Sequence, residues 1–324
     1  MRKLALLSIA TAALMGACSP VSGGPEQLEK VSLTMSFRPD VQFAPMYMAV
    51  EKGYAAEHGL EIILNHLPET EAVQLVGVDQ LRFAVVSGEQ VLLARAQGLP
   101  VVYVMAWWQD YPVAVAAPEG SGIAEPADLE GRRIGIPGLF GASYIGFRAL
   151  LDWADLTEQD VTLDSIGYTQ VEALSQGLDE AVVVYANNEP VQLASLGMPV
   201  NLIKVADYVQ LASNGLITNE NTLREDPELV RSMVATLVEG IEATLVDPDE
   251  AFEVSKIYVE GLAEANEDVQ REVLERSLPF WHNEMIGFSD AVGWENMQAV
   301  LLEMQLLNEA VDTHEAFTNE FLPE

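Results

Sequence analysis

The chain has 324 residues, enough for two domains with sizeable cores, and 49% of them are hydrophobic, which excludes a disordered protein. Its formal net charge of −34 at pH 7 argues against nucleic acid and against anionic membrane surfaces as partners. We expect this acidity to reflect a solvated surface and not a site.

The N-terminus predicts a secretory signal peptide over residues 1–17. A positively charged start, MRK, precedes an apolar run that is too short to span a bilayer comfortably. The run ends in MGAC, which resembles a bacterial lipobox, and Cys18 is the chain's single cysteine. We therefore predict that Cys18 is lipidated and that residues 18–30, rich in Ser, Pro and Gly, tether a folded body to the membrane.

The next part of the chain predicts repeated strand–loop–helix units. Strands are predicted over 31–37, 60–64, 83–86 and 100–106, and helices over 46–52, 54–57, 73–77 and 91–97. Ligands of open α/β sheets bind beyond the carboxyl ends of strands, so the loops that follow the strands hold the candidate residues. These are Arg38, Asp40, Gln42, Phe43, Tyr47, Ser87, Gly88, Glu89, Trp107, Trp108 and Tyr111.

Several of these candidates have a simpler interpretation that the residues alone leave open. Arg38 and Asp40 would make a local surface ion pair, which stabilises little. Ser87 would merely cap a helix, in place of offering free backbone N–H groups with Gly88 to a ligand. Trp107 and Trp108 point to opposite faces of a strand, so one can face a cleft, but both could equally be packing residues.

A strand over 112–117 is predicted to be the first crossing between two lobes. A strand over 133–136 leads into a loop with Gly138, Ser143 and Tyr144, which could cradle an anion or a polar ring edge but lacks the lysine of a nucleotide-binding P-loop. Helices are predicted over 145–153 and 171–176. The segment 205–211 is predicted to be the return crossing, and the pattern is helical from 220 to the end, with helices over 227–245, 248–260, 267–277 and 294–307.

A buried strand over 181–185 ends in a second constellation of candidates. Tyr185, Asn187, Asn188 and Glu189 lie where this strand feeds a helix predicted over 192–196. An aromatic plate, two amides and a carboxylate suit a flat heterocycle with ring N–H groups. The alternative is that the Asn pair makes a turn and Glu189 starts the helix.

Resemblance to a known family favours the ligand interpretation. The pattern Tyr185…Asn188-Glu189-Pro190, followed by Asp207-Tyr208 and by SNGLI over 213–217, resembles the periplasmic substrate-binding proteins of ABC importers for thiamine-pyrimidine precursors and their riboflavin-binding relatives. The similarity spans residues 31–280 and includes the segment DLEGRRIG over 128–135.

This resemblance implies an α/β, two-lobed periplasmic-binding-protein fold of type II, with the ligand cleft between the lobes and a helical C-terminal part. Residues 31–117 plus 213–324 would form lobe 1, and residues 118–212 lobe 2. The implied partners are a small-molecule vitamin, an ABC permease with its ATPase, and the membrane through the lipid anchor on the extracytoplasmic face. A monomer is expected.

An enzyme is not expected. The sequence shows no Ser, His and Asp in the chain order of a known catalytic triad, no cysteine nucleophile and no cluster of metal ligands. No cofactor is implied. A pyrimidine-synthesising branch of the same fold uses a pyridoxal-phosphate-bound lysine and a cysteine-rich motif, but this chain has no lysine between Lys52 and Lys204 and one cysteine, at the anchor. A structural or signalling lipoprotein is disfavoured by the polar and aromatic strand-end loops.

Two ligands remain open, riboflavin and a formylaminopyrimidine-type thiamine precursor. The many flat side chains of the loops favour riboflavin, whose larger ring system needs more than one flat wall. The loops bring Arg38 as their one cation, so an unphosphorylated ligand is expected.

Overall fold

The computed structural model describes residues 28–323. The predicted signal peptide, Cys18 and most of the predicted tether lie outside these residues. Ten strands occur in the described part of the chain. They are β1 Glu29–Met35, β2 Leu60–His66, β3 Phe83–Val86, β4 Val101–Ala106, β5 Val113–Pro118, β6 Arg133–Ile136, β7 Thr162–Ser165, β8 Ala181–Tyr185, β9 Val200–Lys204 and β10 Gly215–Asn219.

The strands form two five-stranded sheets with the same pattern. The first has the order β2-β1-β3-β10-β4 and the second the order β7-β6-β8-β5-β9. In the first sheet β10 runs antiparallel to β3 and β4, and in the second β5 runs antiparallel to β8 and β9. We refer to each sheet with the helices packed on it as a lobe. The fold is thus mixed α/β with two lobes.

The chain passes between the sheets at two places, between β4 and β5 and again between β9 and β10. The strand predicted over 112–117 was assigned to lobe 1, but β5 pairs with β8 and β9 inside the second sheet. The first passage therefore precedes Val113. The predicted return segment 205–211 begins as a 3₁₀ turn, Val205–Asp207, and continues without regular structure to β10.

Helices cover the sheets and form most of the C-terminal part. They are α1 Ala44–Glu51, α2 Tyr54–Glu57, α3 Glu69–Gly77, α4 Gly88–Ala96, α5 Gly141–Trp153, α6 Gln170–Ser175, α7 Glu189–Ser195, α8 Glu220–Glu225, α9 Pro227–Val246, α10 Pro248–Tyr258, α11 Glu267–Trp281 and α12 Ala291–Glu303. After Glu303 the prediction of continued helix is wrong, because a 3₁₀ turn, Thr313–Glu315, is the one helical element described there.

The Asp-Pro helix starts are confirmed by their hydrogen bonds. The Asp226 carboxylate accepts the Leu229 N–H at 3.3 Å, and the Asp247 carboxylate accepts the Glu250 N–H at 2.9 Å. The long helix α9 packs closely on α1, because a Cβ at Gly240 would lie 2.2 Å from the Pro45 carbonyl oxygen. These contacts hold α9 against α1.

No helix among residues 28–323 combines the length and apolar character that a bilayer crossing requires.

Candidate functional site

The loops that follow β1, β2, β3, β4, β6 and β8, and the residues that precede β10, meet where the two lobes touch. We call this region the interlobe seam, formed by residues 37–43, 66–69, 87–90, 107–111 and 213–214 on the first-lobe side and 137–145 and 185–189 on the second-lobe side. Aromatic rings cross it, with Phe37 5.9 Å from Tyr168 and Trp108 6.1 Å from Tyr185, measured between ring centroids. The seam therefore collects strand ends from both sheets, where ligands of α/β folds bind.

One end of the seam is fastened by a chain of amide hydrogen bonds. The Asp40 carboxylate accepts the backbone N–H of Gln42 at 3.1 Å and its side-chain N–H at 3.0 Å. The Gln42 Oε1 accepts a bond of 2.7 Å from Asn187 Nδ2, which also donates to Ser277 Oγ at 2.8 Å. Asn187 is fully buried, so these bonds tie the second lobe to both the first loop and α11.

Glu189 lies at the first position of α7, where it bonds its own turn. Its Oε2 accepts the Tyr185 N–H at 2.9 Å, while Asn188 Oδ1 accepts from Gln192 at 2.8 Å inside the helix. Burial raises the pKa of Glu189 to about 7, although these backbone bonds and Arg38 oppose the rise. Glu189 is half-buried, so its carboxyl combines the helix-start role with access to the seam.

Both tryptophans are buried, and both have an indole N–H without a partner among residues 28–323. The Trp107 ring stacks on Phe43 at 5.0 Å with an interplanar angle of 16°, and it meets Trp108 edge-on at 5.3 Å. The interpretation that both are packing residues holds for the rings. The unpartnered indole N–H groups of Trp107 and Trp108 are nevertheless free to donate hydrogen bonds.

Three predicted tyrosines have different surroundings. Tyr47 stacks on Tyr258 at 4.5 Å within the first lobe, and its buried hydroxyl has no partner in the described part of the chain. Tyr111 donates to the Ala142 carbonyl of α5 at 2.8 Å, so it bridges to the second lobe. The Tyr144 hydroxyl donates to Glu158, so it is already bonded to a residue of its own lobe.

The remaining predicted loop residues, Arg38, Gly138 and Ser143, make few contacts with the other candidates. Arg38 is exposed and lies 5.4 Å from the Phe37 ring centroid. It makes no ion pair within residues 28–323, so the alternative interpretation of a local Arg38–Asp40 ion pair does not hold. Gly138 is buried beneath Phe140, because a Cβ there would lie 2.5 Å from that ring. Ser143 is half-buried and its hydroxyl makes no hydrogen bond to a described residue.

Ser87 occupies the other end of the seam, between two carboxyls. Its backbone N–H, predicted to be free, is taken by Glu69 Oε1. Its Oγ lies 2.7 Å from Glu69 Oε1 and 2.5 Å from Glu89 Oε1. Gly88 packs against the return segment, where a Cβ would lie 2.7 Å from the Ala212 carbonyl oxygen. Glu69 was missed by the sequence interpretation, although it follows the end of β2 and so obeys the same strand-end rule.

A cavity of about 240 Å³ lies beside this carboxyl cluster. Helices α3 and α4 of the first lobe form one wall, and residues 139–145 of the second lobe form the other. Glu89 is fully buried and lines the cavity, and its Oε2 has no hydrogen-bond partner within residues 28–323. Leaving a buried polar atom unpartnered costs about 1–3 kcal/mol, so a new partner for this oxygen would stabilise the protein.

The unpartnered atoms of the described chain concentrate at the seam. Buried side-chain donors and acceptors without a partner there belong to Glu89, Trp107, Trp108, Asn187 and Asn214. Native proteins leave few such atoms, so a cluster of them indicates groups that await a ligand or water. No group of three or more His, Cys, Asp or Glu side chains within residues 28–323 could hold a metal ion.

Two lobes of identical strand order, joined twice and meeting at a polar seam, define the periplasmic-binding-protein fold. The fold matches the aliphatic sulphonate binding protein SsuA of Escherichia coli, with a TM-score of 0.74 and 16% identity over 91% of this chain and 94% of that one. The chain belongs to the NMT1/THI5 like family, which it matches over residues 40–251. The family resemblance expected from the sequence is thereby confirmed.

Two binding proteins are among its relatives. The riboflavin-binding protein RibY of Chloroflexus aurantiacus is 39% identical over 97% of this chain and 92% of that protein. The formylaminopyrimidine-binding protein of Halalkalibacterium halodurans is 27% identical over 98% of this chain and 99% of that protein. More distant relatives, at 23–24% identity, are named 4-amino-5-hydroxymethyl-2-methylpyrimidine phosphate synthases.

Proposed function

We propose that this protein is the extracytoplasmic solute-binding lipoprotein of an ABC importer, and that it captures riboflavin in the interlobe seam. The observation that carries the proposal is the set of buried, unpartnered donors and acceptors beside stacked aromatic rings. A relative of 39% identity named as a riboflavin-binding protein supports the same ligand.

The chemistry of the seam suits the uncharged isoalloxazine ring. That ring is flat and carries an imide, in which one N–H lies between two carbonyl groups. A carboxylate such as Glu189 accepts the imide N–H, and the unpartnered indole N–H groups of Trp107 and Trp108 donate to carbonyl oxygens. Aromatic faces supply the stacking area that an extended ring system needs.

A thiamine precursor of the formylaminopyrimidine type is the second candidate, favoured by the size of the cavity. Pockets for drug-sized ligands usually measure about 300–1,000 Å³, and the cavity beside Glu89 has about 240 Å³. A single pyrimidine ring fits this volume with less opening of the lobes than a three-ring flavin. A relative named as a formylaminopyrimidine-binding protein supports this alternative.

We infer transport and not catalysis from the residues that the sequence provides. A synthase of the pyridoxal-phosphate type needs a reactive lysine near its ring, but Lys is absent from this chain between Lys52 and Lys204. The single cysteine, Cys18, follows a signal-peptide pattern. Lipid attachment at Cys18 would hold the protein at the membrane beside a permease, and mass spectrometry of the mature N-terminus tests it. A mature chain cut elsewhere and unmodified would contradict the anchor.

Calorimetric titration of the purified mature protein tests the ligand. We expect riboflavin to bind with a dissociation constant of about 1 μM or below, which corresponds to about −8 kcal/mol. Flavin mononucleotide is the matched control, because it adds one phosphate to the same ring. We expect it to bind more weakly, since Arg38 is the one cation of the seam loops. Tighter binding of formylaminopyrimidine would replace riboflavin with the second candidate, and no binding of any of the three would refute the proposal.

A further inference from the structure

The contacts of Ser87 require a proton on one of its two carboxyl neighbours. The hydroxyl has one hydrogen, yet its oxygen lies within hydrogen-bond distance of both Glu69 Oε1 and Glu89 Oε1. Glu69 Oε1 also accepts the Ser87 backbone N–H, so Glu69 is the acceptor of the Ser87 side chain. The remaining contact becomes a hydrogen bond when Glu89 Oε1 carries the proton and donates it to Ser87 Oγ.

The surroundings of this pair contain no compensating cation. The groups that face Glu89 are Glu69 on α3, Ser87 and Gln90 beside it, and the phenols of Tyr111 and Tyr185. Neither glutamate has a Lys, Arg or His partner among residues 28–323. Burial, and then the charge of Glu69, raise the pKa of Glu89 to about 8.

Glu89 lines the cavity, and its second oxygen is a buried atom without a hydrogen-bond partner in the described chain. When Oε1 donates to Ser87, Oε2 is the carbonyl oxygen of a neutral acid, and it is an acceptor without a partner in the described chain. Across the cavity the second lobe presents Leu139, Phe140 and Ile145, which offer no side-chain hydrogen bond. The cavity would hold roughly eight water molecules by volume. The cavity therefore combines an apolar second-lobe wall with a first-lobe wall that holds Glu89 and the polar side chains of Thr70, Gln74, Gln90 and Gln97.

We propose that Glu89, kept neutral by a proton relay through Ser87 to Glu69, is a specificity-determining acceptor of the ligand site and selects an uncharged ligand group that carries an N–H or O–H donor. An ionised Glu89 would favour an ammonium group instead. The assignment of Glu89 to the ligand site rests on the proposed function. The relay is a property of the unliganded protein and can be tested without a ligand.

Proton occupancy should also control binding. Without the shared proton, two carboxylates would share one hydroxyl, and like charges disfavour burial together. Covering this pair with a ligand would then be less favourable, so loss of the proton weakens binding. Because binding then requires a proton, affinity should fall by about tenfold for each pH unit above about pH 8.

Riboflavin titrations across pH test this linkage. Affinity of the wild-type protein should fall above about pH 8, and Glu89→Gln, whose amide mimics the neutral acid with one donor and one acceptor, should keep binding at neutral pH and abolish the fall. Glu69→Gln removes the charge that raises the pKa of Glu89, so its fall should move to lower pH. Glu71→Gln, an exposed change on the same helix, should behave as wild type. A flat wild-type profile, or a fall that persists in Glu89→Gln, would overturn the proposal.

Infrared spectroscopy of the unliganded protein tests the relay separately. The wild-type minus Glu89→Gln difference spectrum at neutral pH should contain the C=O stretch of a protonated carboxyl, and this band should vanish as pH rises past about 8. Circular dichroism shows that the variants are folded. If riboflavin bound neither the wild-type protein nor the variants at any pH, the proposed function would fail. The presence or absence of this band would still show whether the proton relay exists. Absence of the band would overturn the relay whatever the ligand.

Discussion

The two ends of the interlobe seam differ in how their polar groups are satisfied. At the Asn187 end, the side-chain N–H groups of Asn187 donate across the lobes to Gln42 and Ser277, and its Oδ1 has no partner in the described chain. At the Glu89 end, Glu89 lines a cavity, and one of its buried carboxyl oxygens has no partner in the described chain. Both ends are built from strand-end loops of sheets with the same strand order, so side chains and not topology create the difference. At one end a side-chain amide joins the two lobes, and at the other a carboxyl group keeps an unpartnered oxygen.

The largest effect is expected from Glu189→Gln, which keeps the side-chain shape but replaces one acceptor oxygen with a donor. A hydrogen bond to a charged group contributes about 1.5–3 kcal/mol, so riboflavin affinity should fall about tenfold to a hundredfold. Calorimetry measures the loss. Glu172→Gln makes the same change at an exposed position of α6 and should bind as wild type. Wild-type affinity in Glu189→Gln would reduce Glu189 to a helix-start residue.

Asn187→Leu removes the hydrogen bonds that join the lobes at the Asn187 end of the seam. The substitution leaves the Gln42 oxygen and the Ser277 hydroxyl without their shared donor in a buried place, which costs about 1–3 kcal/mol. Urea denaturation should show this loss in the free energy of unfolding. The matched control is Asn308→Leu at an exposed position. Equal stability of both variants would mean that the amide chain does not fasten the lobes.

The pH dependence of stability sharpens the contrast between the ends. Burial raises the pKa of Glu89 to about 8 and that of Glu189 to about 7, above the ordinary value of 4.5. The stability linked to each raised pKa is complete below about pH 4.5 and is lost as pH rises through the folded value. The unfolding free energy of wild type relative to Glu89→Gln should therefore decrease from about pH 5 to about pH 8. A constant or increasing difference would show that Glu89 is ionised in the folded protein.

The smallest effect is expected from Tyr144→Phe. The hydroxyl bonds Glu158 on the same lobe, so its removal should cost about 0.5–1.5 kcal/mol of stability and leave riboflavin affinity unchanged. Thermal unfolding and calorimetry on one preparation measure both. A clear loss of affinity would return Tyr144 to the ligand site.

Elements with strong local signals were predictable from the sequence. The strands 83–86, 133–136 and 181–185 and the helix 54–57 have the predicted bounds, because buried apolar runs and flanking turn residues mark them. Strands β9 and β10 were not predicted. Their sequences VNLIK and GLITN are short and mixed, and antiparallel pairing across the sheet stabilises them. Such pairing depends on residues far away in the chain, which local patterns do not contain.

The loops that form the candidate site were predictable from the sequence, but the hydrogen bonds within the site were not. The strand-end rule selected Gln42, Ser87, Glu89 and Asn187, which do lie at the seam. It could not predict that Ser277 of α11 bonds Asn187, because a serine in an amphipathic helix has no sequence signal for a distant amide. Helix α5 begins at Gly141, four residues before its predicted start, so Tyr144 falls within the helix and not in the preceding loop.

A crystal structure of the mature protein with riboflavin tests the central claim most directly. The account predicts the flavin ring in the interlobe seam, with the imide N–H within about 3 Å of the Glu189 carboxyl and the ring edge reaching toward Glu89. It also predicts that Trp107 or Trp108 gains a hydrogen-bond partner. A ring bound outside the seam, or bound in it with both glutamates remote from any polar atom of the ligand, would contradict the account.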